Sequence, residues 1–304
     1  MTYALPVRTL LLALGATLAT ARPLVAQSIP SSAPEVLLRL DDVGMNHSVN
    51  TAIAKVAATG LPFSVSVLFA CPWYQEAVEI LRKNPHVTVG VHLALNSEWR
   101  NYRWGPVLGK AGVPSLVDSV GYFHPSRDEF LASKYDLGEV ERELNAQVDR
   151  ALRSGLKIAY VDAHMGTVEA TPQLREVIER IAKKHGVGIS TYFGESYKSM
   201  WGVPVAAKKA ELLTHLAAAK RNQVNLVEVH VAERTPEMEV IVDMNAPSQN
   251  TPDAGVAAHR QAELSMMLSP ELAQLVKAGN IRLVTYEQLI ARAGGPSAMR
   301  RPIQ

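Results

Sequence analysis

Four places in the chain carry residue types that hold metals and move protons. Asp41 and Asp42 are adjacent, His92 sits in Val91-His92-Leu93, Asp162 and His164 flank Ala163, and His230 ends an apolar run. One carboxylate and two imidazoles, with positions left open, can hold a divalent ion that activates water or polarises a carbonyl. A neighbouring carboxylate can then serve as general base. Two imidazoles favour Zn²⁺, Co²⁺ or Ni²⁺ over Mg²⁺. The same residue types have ordinary uses: Asp shapes turns and caps helices, and a lone His is often a hydrogen-bonded core residue. His47, His86, His124, His185, His215 and His259 fall in loops or on helices and are read as structural.

What singles out the four places is position in the pattern. Short apolar runs at 36–40, 64–69, 87–95, 157–161, 187–191, 224–230 and 281–284 read as strands, with helix-like segments between them. Ser48 reads as a helix cap, as do Thr171 and Ser269, the last two each followed by Pro. Apolar strands alternating with helices predict a parallel sheet covered by helices. About seven strands suit a single-domain distorted (β/α) barrel, with a doubly wound open sheet as the alternative. In either, strand C-termini face the active site. Asp41-Asp42, His92, His164 and His230 all belong to such ends, and they converge only if the strands share one sheet.

The connection 96–135 is long and rich in Gly, Pro and aromatics, and such loops are usually functional. Trp99, Tyr102, Trp104 and Tyr122 could stack on the apolar faces of sugars or simply anchor the loop.

Residues 1–26 do not read as part of the fold. Arg8, an apolar run over 10–19 and small residues at Ala19, Ala21 and Ala26 form a secretory signal peptide pattern, with cleavage after Ala26. A linker, 27–35, a catalytic domain, 36–293, and a tail, 294–304, follow. The expected location is outside the cytoplasm, periplasmic or secreted, with no stable membrane insertion after processing. The formal charge of +2 falls to zero once Arg8 and Arg22 are removed. A neutral chain lacks the basic footprint of a nucleic-acid binder. The single cysteine, Cys71, excludes an internal disulfide and reads as a buried small hydrophobe.

The motifs resemble those of the YdjC-like carbohydrate deacetylases, which include chitooligosaccharide deacetylases. Leu-Asp-Asp-Val-Gly-Met-Asn-His-Ser-Val-Asn, residues 40–50, is similar to the family's Asp-Asp-Phe-Gly start and its later Asn, here Asn50. Val-Gly-Val-His-Leu-Ala-Leu, residues 89–95, resembles its Gly-x-His-Leu-x-Leu motif. Ser-Leu-Val-Asp-Ser-Val-Gly-Tyr-Phe, residues 115–123, resembles a family loop. Glu143-Leu144 through Gln147 resembles the helix before Asp-Ser-His, here Asp162-Ala163-His164. Leu268-Ser269-Pro270-Glu271-Leu272 and Tyr286 complete a likeness that runs over about 36–290. It implies a distorted (β/α) barrel, a metal held by Asp42, His92 and His164, and Asp41 as general base. The family is usually described with Mg²⁺, so Mg²⁺ and Zn²⁺ both stand as the expected ion. The sequence departs from the family at Val43, Gly166, Val168 and Val231, the middle two standing where the family often has further histidines.

The expected activity is metal-dependent removal of N-acetyl groups from amino sugars or short oligosaccharides. In that reading His230 is the general acid for the leaving amine and Arg260 orients a carboxylate. A metal hydrolase for another ester, amide or phosphoester bond, and an exported non-catalytic sugar-binding protein, are the alternatives. Oligomeric state is not legible.

Overall fold

The computed structural model describes Met1, residues 33–246, Thr251 and residues 253–302. Residues 2–26 of the expected signal segment and 27–32 of the expected linker lie outside the described residues.

Eight parallel strands alternate with helices: β1 (Glu35–Val43), β2 (Ser64–Val67), β3 (Thr88–Leu93), β4 (Ile158–Ala163), β5 (Gly188–Ile189), β6 (Ser196–Ser199), β7 (Val224–Val229) and β8 (Arg282–Val284). Seven follow the order β5-β4-β3-β2-β1-β7-β6. β8 pairs with Glu35–Leu37 of β1, where β7 occupies the other edge, so β8 and β2 share one side of β1 at different heights. The strand pattern anticipates all but β6, whose Ser-Tyr-Lys-Ser holds too little apolar character to be recognised.

The sheet is curled. In a flat sheet β5 would lie four strand spacings, about 19 Å, from β1. Yet Arg39 Nη1 on β1 donates to Ser190 Oγ, just past β5, at 2.6 Å. Among the described residues no ladder joins β5 to β6, so the curl stays open along that seam. This is a single-domain distorted (β/α) barrel rather than an open doubly wound sheet.

Both faces of β1 are buried, and the period of two assigns them different partners. Val36, Leu38 and Leu40 pack outward under the helices. Leu37 joins Tyr160, Leu226 and Tyr286 inside the curl. Arg39 and Asp41 continue that inner row, so polar residues fill the interior at its strand-C-terminal end. Gly90 is required beside them: a Cβ there would collide with the Tyr160 ring.

The family-like motifs outside the site are structural supports. Asn50 is fully buried; its Oδ1 accepts from Gly44 N at 2.9 Å, and its Nδ2 donates to Trp73 O and Glu76. It thereby fixes the turn after Asp41-Asp42. Gly44 has φ +85°, and a Cβ there would press on the Tyr74 backbone. Glu143 and Gln147, both fully buried on the helix Leu137–Arg153, anchor the long loop. Glu143 accepts from Val107 N and Leu108 N, while Gln147 pairs with both backbone groups of Ala94. Buried acceptors bonded in this way stabilise; left unpaired they would cost about 1–3 kcal/mol each.

Thr171 and Ser269 cap their helices as expected. Asn46, not Ser48, caps the first helix, accepting from Val49 N at 3.0 Å. Ser48 turns instead to Thr235 and Glu237. Cys71 is buried, as its apolar setting suggests. No helix among the described residues is long and apolar enough to cross a membrane.

Candidate active site

Adjacent strand residues face opposite ways, so a regular β1 would send Asp41 and Asp42 to different faces. The register of β1 against β2 shifts between Leu40 and Val43, and Asp42 takes φ +61°. Asp is among the few non-glycine types that tolerate this left-handed conformation. The bulge turns Asp42 back inward, and both carboxylates reach the same interior.

Asp42 Oδ1 lies 3.4 Å from His92 Nε2 and 3.2 Å from His164 Nδ1. The two imidazoles meet edge to face with centroids 5.1 Å apart. One donor atom from each of the three residues lies within 4.8 Å of the other two. Oδ1 of Asp42 is buried without a hydrogen-bond partner, which is costly unless a cation completes it.

Each imidazole has its other nitrogen held by a carboxylate. His92 Nδ1 lies 2.9 Å from Asp162 Oδ1, and His164 Nε2 lies 2.9 Å from Glu98 Oε2. A carboxylate on one ring nitrogen fixes the proton there and leaves the opposite lone pair free for an ion. Asp162 is itself held by Ser66 Oγ at 2.8 Å and by Arg39 at 3.2 Å. The donor set therefore fits a divalent ion, approached by His92 through Nε2 and by His164 through Nδ1.

The electrostatics match. Burial alone would raise the pKa of Asp42, yet Arg260 and His164 beside it hold it well below the usual carboxylate range. Burial opposes protonation of His164, yet Glu98 and Asp42 push its pKa up to about 9. His92 is likewise raised against burial by Asp162 and Asp41. Both imidazoles sit in a strongly negative setting that a cation would relieve.

Asp41 accepts from Arg39 through both oxygens, at 2.8 and 2.7 Å. Arg39 also donates to Glu228 at 2.9 Å, so one buried guanidinium serves several carboxylates. Burial raises Asp41 towards the protonated form, against the pull of Arg39. Arg260 Nη2 donates to Asp42 Oδ2, and its guanidinium lies 5.5 Å from both the Trp99 and the Trp201 ring centroids.

His230 lies just past β7, with its ring 5.4 Å from Trp201 and its Nδ1 3.9 Å from Glu228. Burial lowers its pKa, so it is neutral at neutral pH. Asp41, Asp42, His92, His164, His230 and Arg260 all line one cavity of about 670 Å³.

The aromatic loop contributes less than its composition suggests. Trp99 lines the cavity but is only 3% exposed, and Trp104 is equally buried. Tyr102 is tied to Met45 O, and Tyr122 packs under Arg103, away from the cavity. Their role is anchoring. Met165, Tyr197 and Trp201 supply the other apolar walls. Of the two positions that lack the family's histidines, Gly166 borders the cavity and Val168 is buried in the core.

Glu98 is absent from the sequence reading because an isolated Glu in a loop carries no pattern. Glu98→Gln keeps the shape but weakens the hold on His164. Metal affinity is expected to fall about 10- to 100-fold, measured by competition with a chelating dye. Unchanged affinity would show that His164 needs no outer partner.

The fold is a half-barrel whose strand ends bring together an Asp-His-His cluster able to hold a divalent ion and an adjacent carboxylate. Residues 35–278 match the YdjC-like protein family, to which this chain belongs. It is 25% identical to a carbohydrate deacetylase of Brevibacillus brevis, over 84% of this chain and 99% of that protein. A carbohydrate deacetylase of Vibrio cholerae serotype O1 is 26% identical, over 84% of this chain and 97% of its own length. The fold is also that of an Enterococcus faecalis V583 structure, named for a proposed cleavage of cellobiose phosphate. That structure has a TM-score of 0.66 and 23% identity, covering 85% of this chain and 99% of the other.

Proposed function

We propose that the protein removes N-acetyl groups from amino sugars or short oligosaccharides with the help of a divalent ion, Zn²⁺ or Mg²⁺. The observation that carries this reading is the unpartnered Asp42 Oδ1 facing His92 Nε2 and His164 Nδ1, with Asp41 alongside. The carbohydrate deacetylase names of its relatives support the substrate class. When bound, the ion polarises the acetyl carbonyl and acidifies water.

Asp41 takes the proton of the attacking water, and Arg39 keeps its carboxylate aimed while it does so. Arg260 holds Asp42 in its inward orientation. His230 passes a proton to the departing amine. Because His230 is neutral at rest, the proton it passes on is the one Asp41 has taken from water, and a ring nitrogen of His230 lies within 4.8 Å of an Asp41 carboxylate oxygen. Two imidazoles and one carboxylate favour Zn²⁺, and the family resemblance favours Mg²⁺.

The test is acetate release from a panel of acetylated amino sugars before and after chelation, with Zn²⁺ and Mg²⁺ restored separately. Turnover should disappear with the ion and return with one of the two. Full turnover after complete chelation, or none on any acetylated sugar with either ion, would overturn the reading.

We also propose that the protein acts outside the cytoplasm after losing residues 1–26. The mature N-terminus should be Gln27 or close to it by sequencing of the exported protein. An exported chain that still begins at Met1 would contradict this.

A further inference from the structure

We propose that the open seam between β5 and β6 is a second sugar subsite, taking a pyranose ring adjacent to the one whose acetyl group faces Asp42, His92 and His164. The inference rests on the deacetylase reading and locates a part of the binding site that lies away from the metal donors.

The starting point is Tyr197 on β6. At 53% exposure it is more open to solvent than Trp73 or Tyr122, the other exposed large aromatics among the described residues. It is not on the convex surface: with Ser199, its neighbour at the strand period, it lines the same cavity as the metal donors. Its hydroxyl is tied to Glu228, and the Arg39 guanidinium lies 6.0 Å from its ring centroid. The polar end and one side of the ring are therefore committed within the protein. What remains for the cavity is an apolar ring surface. An exposed aromatic in a concave site that mixes apolar walls with charged and hydroxyl groups marks a ligand face. A pyranose offers the matching surface in its axial C–H groups, and stacking on an aromatic ring orients it without fixing its hydroxyls.

The remaining walls suit those hydroxyls. Thr191, just past β5 on the opposite side of the seam, also lines the cavity. It has φ +71°, a conformation rare for a β-branched residue and found where function dictates backbone shape. Glu169 lines the cavity as well, and burial together with the nearby Asp162 raises its pKa to about 7, so it can accept or donate to a hydroxyl. Arg127, Asp128 and Asp243 supply charged side chains elsewhere on the wall. Tyr197 is the aromatic residue that β6, the strand on this side of the seam, contributes to the cavity wall.

The test uses calorimetric binding by the Asp41→Asn protein, in which turnover is suppressed. The probes are N-acetylglucosamine and N,N′-diacetylchitobiose. Tyr197→Ala should weaken disaccharide binding about tenfold, as loss of a stacked ring predicts, with a much smaller effect on the monosaccharide. Tyr197→Phe should retain disaccharide binding, because the ring remains. In the active protein, the loss in Tyr197→Ala should fall on KM for the disaccharide rather than on kcat.

Equal weakening of both sugars, or no weakening of the disaccharide, overturns the subsite. So does a loss in Tyr197→Phe as large as in Tyr197→Ala, which would move the effect to the hydroxyl on Glu228. If the unmutated protein deacetylates sugars while Tyr197→Ala behaves like it, only the subsite falls. If the unmutated protein neither binds nor deacetylates any acetylated sugar, the functional reading falls with it.

Discussion

Asp41→Asn is expected to keep its metal ion while turnover on an acetylated amino sugar falls about 10²- to 10⁴-fold, the usual contribution of a general base. The substitution preserves size and one acceptor but cannot take a proton at neutral pH. Its structural cost should be small. Arg39 loses its bidentate partner but keeps Asp162 at 3.2 Å and Glu228 at 2.9 Å, so no buried guanidinium is left without a carboxylate. The proposed metal donors Asp42, His92 and His164 are untouched. Metal content by elemental analysis and initial rates of acetate release measure the two quantities separately. Undiminished turnover would remove Asp41 from the mechanism. Loss of the ion would make Asp41 a ligand, for which its position within reach of His92 and Asp162 gives geometric scope.

The sheet and the ends of its strands are legible in the sequence because burial on both faces forces continuous apolar runs. Those runs alone place Asp41, Asp42, His92, His164 and His230 at one end of the strands. What the pattern cannot carry is the inner row. Arg39 and Glu228 lie inside runs that read as apolar, Asp162 stands at a strand end with no sign of its partners, and their pairing is visible only once the sheet curls. The bulge at Asp42 is equally hidden: Asp-Asp at a strand end gives no sign of which residue turns back.

The helix Val256–Met267 is the clearest loss. Its buried residues include Arg260 and Glu263 among Val256, Ala257, Leu264 and Met267, so no clean apolar stripe marks it. Those two polar residues serve the site. Arg260 holds Asp42, while Glu263 takes the His230 backbone N–H and the buried ammonium of Lys208. A segment that spends its buried face on charge pairing loses the periodicity by which helices are recognised. The aromatic loop errs in the other direction. Trp99 and Trp104 look like sugar platforms by composition, yet they are among the most buried side chains of their loop.

Removing either of two proposed metal donors should abolish metal binding, but only one removal should also destabilise the fold. His92→Ala deletes an imidazole whose outer partner, Asp162, still has Ser66 and Arg39. Asp42→Ala deletes the carboxylate paired with Arg260, a side chain 1% exposed whose Nε and Nη1 have no hydrogen bond. A buried charge stripped of its partner costs about 3–5 kcal/mol. The stacking of Arg260 beside Trp99 and Trp201, about 0.5–2 kcal/mol for such contacts, does not offset this loss, because it is already present in the parent protein. Asp42→Ala should therefore unfold at clearly lower denaturant than His92→Ala when both are compared without metal. In the double variant Asp42→Ala with Arg260→Met, the stranded charge is gone and much of the stability should return, while metal binding stays lost. Denaturant midpoints at constant slope, together with metal content, read the two effects independently. Equal stability of Asp42→Ala and His92→Ala without metal would show that Arg260 does not depend on Asp42 for its burial.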